Sequence, residues 1–148
     1  MIFKEPPADF EKQSDVVGCY VLHDGRFLML HRHAHKSNGN TWGLPAGKRD
    51  GTEPLAEAMR RELREETGID VPGSTLAFFD SVAVRHVGHD IEYHMFSVDL
   101  RSRPEVRLSE TEHRDFRWVT PEEALAMPLV HDQDECIRLF FDKTVLLQ

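Results

Sequence analysis

One stretch constrains this chain more than any other. Between Gly47 and Ile69 it reads GKRDGTEPLAEAMRRELREETGI. The segment opens as a loop, Gly47 to Gly51, and then turns strongly helix-forming. Thr52, Glu53 and Pro54 predict the helix start: a capping hydroxyl, an early acid, and a proline where its missing N–H does no harm. Gly68 predicts the stop, because glycine readily takes the left-handed backbone that ends a helix. At a helical turn of 100° per residue, Glu62, Glu65 and Glu66 fall within roughly 100° of one another on the surface. Ala56, Met59 and Leu63 form a separate apolar stripe able to face a core. Like charges at i,i+4 destabilise a helix by roughly 0.2–0.5 kcal/mol per pair, so the acid cluster needs an offset. Arg61 and Arg64 could supply it on a solvated acidic helix; a hard divalent cation with oxygen ligands could supply it equally well.

The loop and the helix taken together decide between these readings. The stretch resembles the Nudix box, G-x5-E-x7-R-E-U-x-E-E-x-G-U with U a bulky aliphatic residue. Every fixed position is filled, by Gly47, Glu53, Arg61, Glu62, Leu63, Glu65, Glu66, Gly68 and Ile69. At ordinary residue frequencies such a match arises by chance on the order of 10⁻⁹ times per start position. The resemblance to this MutT-like hydrolase family implies an α/β Nudix fold, a mixed β-sheet in an α/β/α sandwich. It also implies a metal-dependent pyrophosphohydrolase acting on a nucleoside diphosphate linked to another group.

The site residues follow from the same resemblance. Glu62, Glu65 and Glu66 are the implied metal ligands, for Mg²⁺ or Mn²⁺, with the Ala46 carbonyl assisting. The family's lead-in usually carries a Gly-Gly pair, and here Ala46 replaces the first glycine. A late loop often adds an acid, which would be Glu110 or Glu112. Glu62, Glu65, Glu110 and Glu112 all stand as alternatives for the base. Arg61 and Glu53 look like an orienting pair that ties loop to helix. Arg32, Lys36 and Lys48 are the expected phosphate contacts.

Substrate choice is less marked. Relatives acting on ADP-ribose or dinucleoside polyphosphates often carry a proline or tyrosine about sixteen residues past the box. Here that region reads Val84-Arg85-His86-Val87. The absence leans toward a (deoxy)nucleoside triphosphate, with a nucleotide sugar or a non-catalytic nucleotide sensor as alternatives. The net charge of −8, from 26 acids against 18 Lys and Arg, argues against large nucleic acids and anionic membranes as partners. A homodimer is a family-level expectation.

The remaining chain is consistent with one domain. Residues 1–14 read as an extended leader and 15–148 as the Nudix domain. No signal-like or membrane-length apolar run is present, so cytoplasm is the default. Cys19 and Cys136 are expected to be buried thiols. Strands are predicted over 16–23 and 26–32 about an Asp24-Gly25 turn, and over 76–87 and 91–100 about Gly88-His89-Asp90. A further strand is predicted over 114–119. Short and terminal helices are predicted from Thr120-Pro121 to Ala126 and over 132–143. Trp42 is read as a packing residue. His31, His33 and His35 alternate, and on a strand would share one face, which admits a metal site beside the plainer reading of a polar strand end.

Overall fold

The computed structural model describes residues 1–86 and 88–146, with side chains as far as Asp142. Its centre is β2 (Ser14–His23), in which alternate residues face opposite layers, as the two-residue period of a strand requires. Val17, Cys19 and Val21 point to one face and Tyr20 to the other. Asp24 and Gly25 both take positive φ, 51° and 76°, and close the hairpin to β3 (Arg26–Arg32). That is the turn expected from Asp-Gly.

β2 joins two sets of strands. On one side it runs parallel to β7 (His89–Asp99), which pairs antiparallel with β6 (Ala77–His86). On the other side it pairs antiparallel with β5 (Ala46–Lys48) over Val16 to Gly18, and with β3 at the hairpin. β3 in turn pairs with β4 (Trp42–Gly43) and β8 (His113–Val119). Ile2 and Phe3 of the leader form β1 and add an edge strand to β6. The order β1-β6-β7-β2-β3-β4 is a mixed sheet.

Each face of the sheet carries its own core. Helix α1 (Leu55–Thr67) lays Ala58, Met59 and Leu63 against Val17, Cys19, Leu28, Leu30 and Phe96. On the opposite face α2 (Pro121–Leu125) and α3 (Gln133–Leu146) bring Ala124, Ile137 and Phe140 against Tyr20, Phe27, Met29 and Met95. This is the α/β/α sandwich. Cys19 and Cys136 are free, buried and in opposite layers, as thiols expected in the core should be.

Three local expectations need correction. Thr52 does not cap α1: Pro54 occupies the cap position, with no side-chain hydrogen bond. The Glu53 carboxylate instead accepts from the Asp50 N–H at 2.8 Å and from Arg61, so residues 50–53 form their own turn and leave Thr52 exposed. Second, His89 and Asp90 belong to β7 rather than to the turn, with His86 pairing His89 and Arg85 pairing Asp90. Two hydrogen bonds from Arg85 to the Asp90 carboxylate, at 2.8 and 3.0 Å, hold that register. Val87, where the first strand was expected to end, lies outside the described residues. Third, β3 ends at Arg32, so the three histidines do not share a strand face. His31 stacks on Trp42, whereas His33 stacks on His35.

Candidate active site

The box folds as one unit because its charges are shared. Arg61 reaches from the first half of α1 back to the loop and donates to Glu53 at 2.6 and 3.3 Å, and to the Lys48 carbonyl at 2.9 Å. A second arm donates to Glu62 at 2.8 Å, with Glu65 at 3.5 Å. The orienting pair is thus a fork binding loop, helix and one acid at once. Arg61 and the Asp50 N–H hold the Glu53 carboxyl below its usual range.

Gly47 explains itself on the same scale. Any Cβ at this position would collide with the Glu62 carboxyl, so the glycine lets strand backbone lie directly on a charged side chain. Gly68 takes φ 76° and closes the helix, with its N–H on the Arg64 carbonyl.

The three helix acids occupy different depths. Glu66 is 4% exposed, Glu62 is half-buried, and the Glu65 side chain is 56% exposed at the solvent edge. Burial raises the Glu66 carboxyl well above its ordinary value, with Glu62 and Glu112 adding repulsion. It accepts a long hydrogen bond, at 3.4 Å, from the Ala46 N–H. Ala46 therefore meets Glu66 through its N–H, the neighbour of the carbonyl expected to ligate. Glu62 is also raised, by burial first and then by Glu65 and Glu112, which together outweigh Arg61.

The late loop completes the cluster. Glu112 and His113 lie with Glu66 so that one ligand atom from each falls within 4.8 Å of the others. Glu110 is exposed, and its carbonyl accepts from His33 Nε2 at 2.5 Å. Of the two late acids, Glu112 is the one brought to the helix. His113 gave no sequence signal beyond its place beside Glu112. It is buried, its Nδ1 has no hydrogen-bond partner among the described residues, and its pKa falls to about 4 through burial and the nearby charges of Arg32, His33 and Lys36.

A cavity of about 140 Å³ opens beside Glu66, walled by Val16, Leu44, Ile91 and Tyr93 with Arg32 and His113 at its polar end. Arg32 is fixed by a 2.8 Å bond from its Nε to the Ser37 carbonyl. Lys36 acts on this end through its charge. Lys48 is exposed and does not line the cavity. Trp42 is buried between the His31 ring, 4.4 Å away, and Arg117. It packs, as expected.

The donor set fits a hard cation. A nearly buried carboxylate with one long hydrogen bond, two acids at hand and an unpartnered imidazole nitrogen leaves charge and lone pairs uncompensated, the condition a divalent ion relieves.

Comparison with known proteins agrees with this geometry. A CTP pyrophosphohydrolase of Escherichia coli is 33% identical over 120 residues, spanning 80% of this chain and 84% of that protein. The phosphatase NudJ of Escherichia coli is 30% identical over 127 residues, 81% and 80% of the two chains. A MutT protein from Methanosarcina mazei superposes with a TM-score of 0.76 at 29% identity, covering 92% of this chain and 98% of its own. The NUDIX domain profile spans residues 12–140 and takes in the whole box, and the chain belongs to the Nudix family as a MutT-like hydrolase.

Proposed function

We propose that the protein hydrolyses a (deoxy)nucleoside triphosphate to the monophosphate and pyrophosphate, and that it depends on Mg²⁺ or Mn²⁺. The observation that carries this reading is Glu66, a buried and under-compensated carboxylate grouped with Glu112 and His113 and repelled by the nearby Glu62.

Phosphoanhydride oxygens repel an incoming water, so the reaction needs charge neutralisation, a positioned water and a proton acceptor. A bound Mg²⁺ or Mn²⁺ would neutralise charge on those oxygens. Glu62, Glu66 and Glu112 would hold it, with the Ala46 carbonyl assisting. Glu65, on the solvent edge, would ligate a further ion or take the water's proton. Arg61 and Glu53 keep loop and helix in register during turnover. Arg32, and through its charge Lys36, face the phosphates. The apolar wall of Val16, Leu44 and Ile91 excludes water from one side of the nucleotide.

The similarity to a CTP pyrophosphohydrolase supports a triphosphate substrate over a nucleotide sugar. The test is phosphate release, with coupled pyrophosphatase, from nucleoside triphosphates, nucleotide sugars, ADP-ribose and dinucleoside polyphosphates, each with an EDTA control. Metal-dependent turnover of the triphosphates is expected. Binding of nucleotide with no turnover across the panel would reassign the protein as a sensor.

A further inference from the structure

The cavity has a second polar end, remote in role from the box acids. There His86, at the end of β6, meets His131 and Asp132 from the loop that enters α3. One ligand atom from each lies within 4.8 Å of the others. The two imidazoles are 4.5 Å apart between centroids and tilted by 45°. His131 Nε2 stands 3.5 Å from Asp132 Oδ2. That is long for a hydrogen bond, yet close to the roughly 3.3 Å that separates two donors on one tetrahedral ion with bonds of about 2.0–2.1 Å. Asp132 is held there by its backbone, with φ at 65°, an uncommon conformation for a residue other than glycine. The Met1 ammonium pairs with the same carboxylate oxygen at 2.5 Å, so a metal ion bound there takes over that contact.

We propose that His86, His131 and Asp132 form a second metal site, selective for Zn²⁺, Ni²⁺ or Cu²⁺ over Mg²⁺. Two imidazoles and one carboxylate are a nitrogen-rich donor set, which suits these borderline ions; Mg²⁺ prefers six oxygens and keeps its waters. The oxygen-rich box cluster has the opposite preference. The site joins the tip of the β6–β7 hairpin to the start of α3, so an ion bound there cross-links two elements packed on the same face. It shares no ligand with the box cluster, although it lines the same cavity.

The test is calorimetric titration of the purified protein with Zn²⁺ in excess Mg²⁺, alongside thermal unfolding. His131→Ala removes an exposed ligand and Asp132→Asn a largely covered one; Asn tolerates the left-handed backbone and keeps the side chain's shape, so both variants keep the fold. The expected result is one zinc site in the parent protein and in Glu66→Gln, accompanied by a rise in Tm. In His131→Ala and Asp132→Asn that site should weaken at least about tenfold and the Tm rise should vanish. Equal zinc stoichiometry and affinity in parent and His131→Ala would overturn the proposal, as would no zinc binding at all. Turnover by Glu66→Gln bears only on the box, so the two readings fail separately.

Discussion

Two carboxylate clusters flank β5, and they answer burial in opposite ways. Glu62 lies over Gly47; a few residues along, Arg49 pairs with Asp15 at 3.1 Å. The two side chains are similarly covered, 14% exposed for Glu62 and 12% for Asp15. Burial raises both carboxyl pKa values, but for Asp15 that rise is outweighed by His94, Lys12 and Arg49, and the net shift is downward. His94 itself is fully used, with Nε2 at 2.8 Å from Asp15 and Nδ1 at 2.6 Å from Ser81 Oγ. For Glu62 the single Arg61 contact loses to burial and to Glu65 and Glu112; Glu66 is further still from balance. A compensated acid network stiffens a sheet. An uncompensated one waits for a cation.

The largest expected effect follows directly. Glu66→Gln should lower kcat/KM for the triphosphate by at least about 10²–10³-fold, since it removes charge from the centre that must offset phosphate repulsion. Asp15→Asn should change kcat/KM by less than about tenfold. Comparable losses in the two variants, measured on the same substrate with saturating Mg²⁺, would erase the distinction.

Stability without metal should run the other way. Asp15→Asn leaves Lys12, Arg49 and His94 short of their acceptor and should cost about 1–3 kcal/mol in urea unfolding. Glu66→Gln deletes a buried repelled charge and should leave the EDTA-treated protein equally stable or more stable. Midpoints that move together in the two variants would show that both acids are structural.

The smallest effect is the pH slope, and its sign differs between clusters. Glu66 has a folded pKa above its ordinary 4.5, so the folded state binds more protons in that window. Its contribution is fully present below 4.5 and is lost as pH rises through the folded value. Asp15 and Asp90 are depressed, Asp90 to about 2 by the Arg85 bonds and the Glu11 N–H. Their contributions are present above the ordinary 3.8 and are lost as pH falls through the folded values. Metal-free protein should therefore lose stability on both sides of an optimum. Glu66→Gln should flatten the alkaline limb alone and Arg85→Ala the acid limb alone, as read by Tm against pH in EDTA.

Local chemistry was the legible part. Asp24-Gly25 specified its turn, Thr120 with Glu123 specified a capping box that the structure contains, and Gly68 specified a helix end. Each depends on neighbours a few residues away. The Thr52 hydroxyl does not cap α1, because Glu53 is drawn to the Asp50 N–H and to Arg61, eight residues on, and Pro54 falls at the cap position. The register of the β6–β7 turn was set by the Arg85–Asp90 pair, which the turn residues do not announce.

What the sequence by itself determined is a loop-helix unit: helical geometry spaces Arg61, Glu62, Glu65 and Glu66, and Glu53 in the turn before the helix answers Arg61. Only the tertiary structure decided which of these acids is buried, and which late acid joins them. It brought Glu112 and His113 to Glu66, left Glu110 and Lys48 in solvent, and walled the cavity with residues from β2, β7 and the approach to α3. The reason is physical. Spacing along a helix is a property of the backbone, whereas desolvation and long-range charge exist only once separate strands have packed.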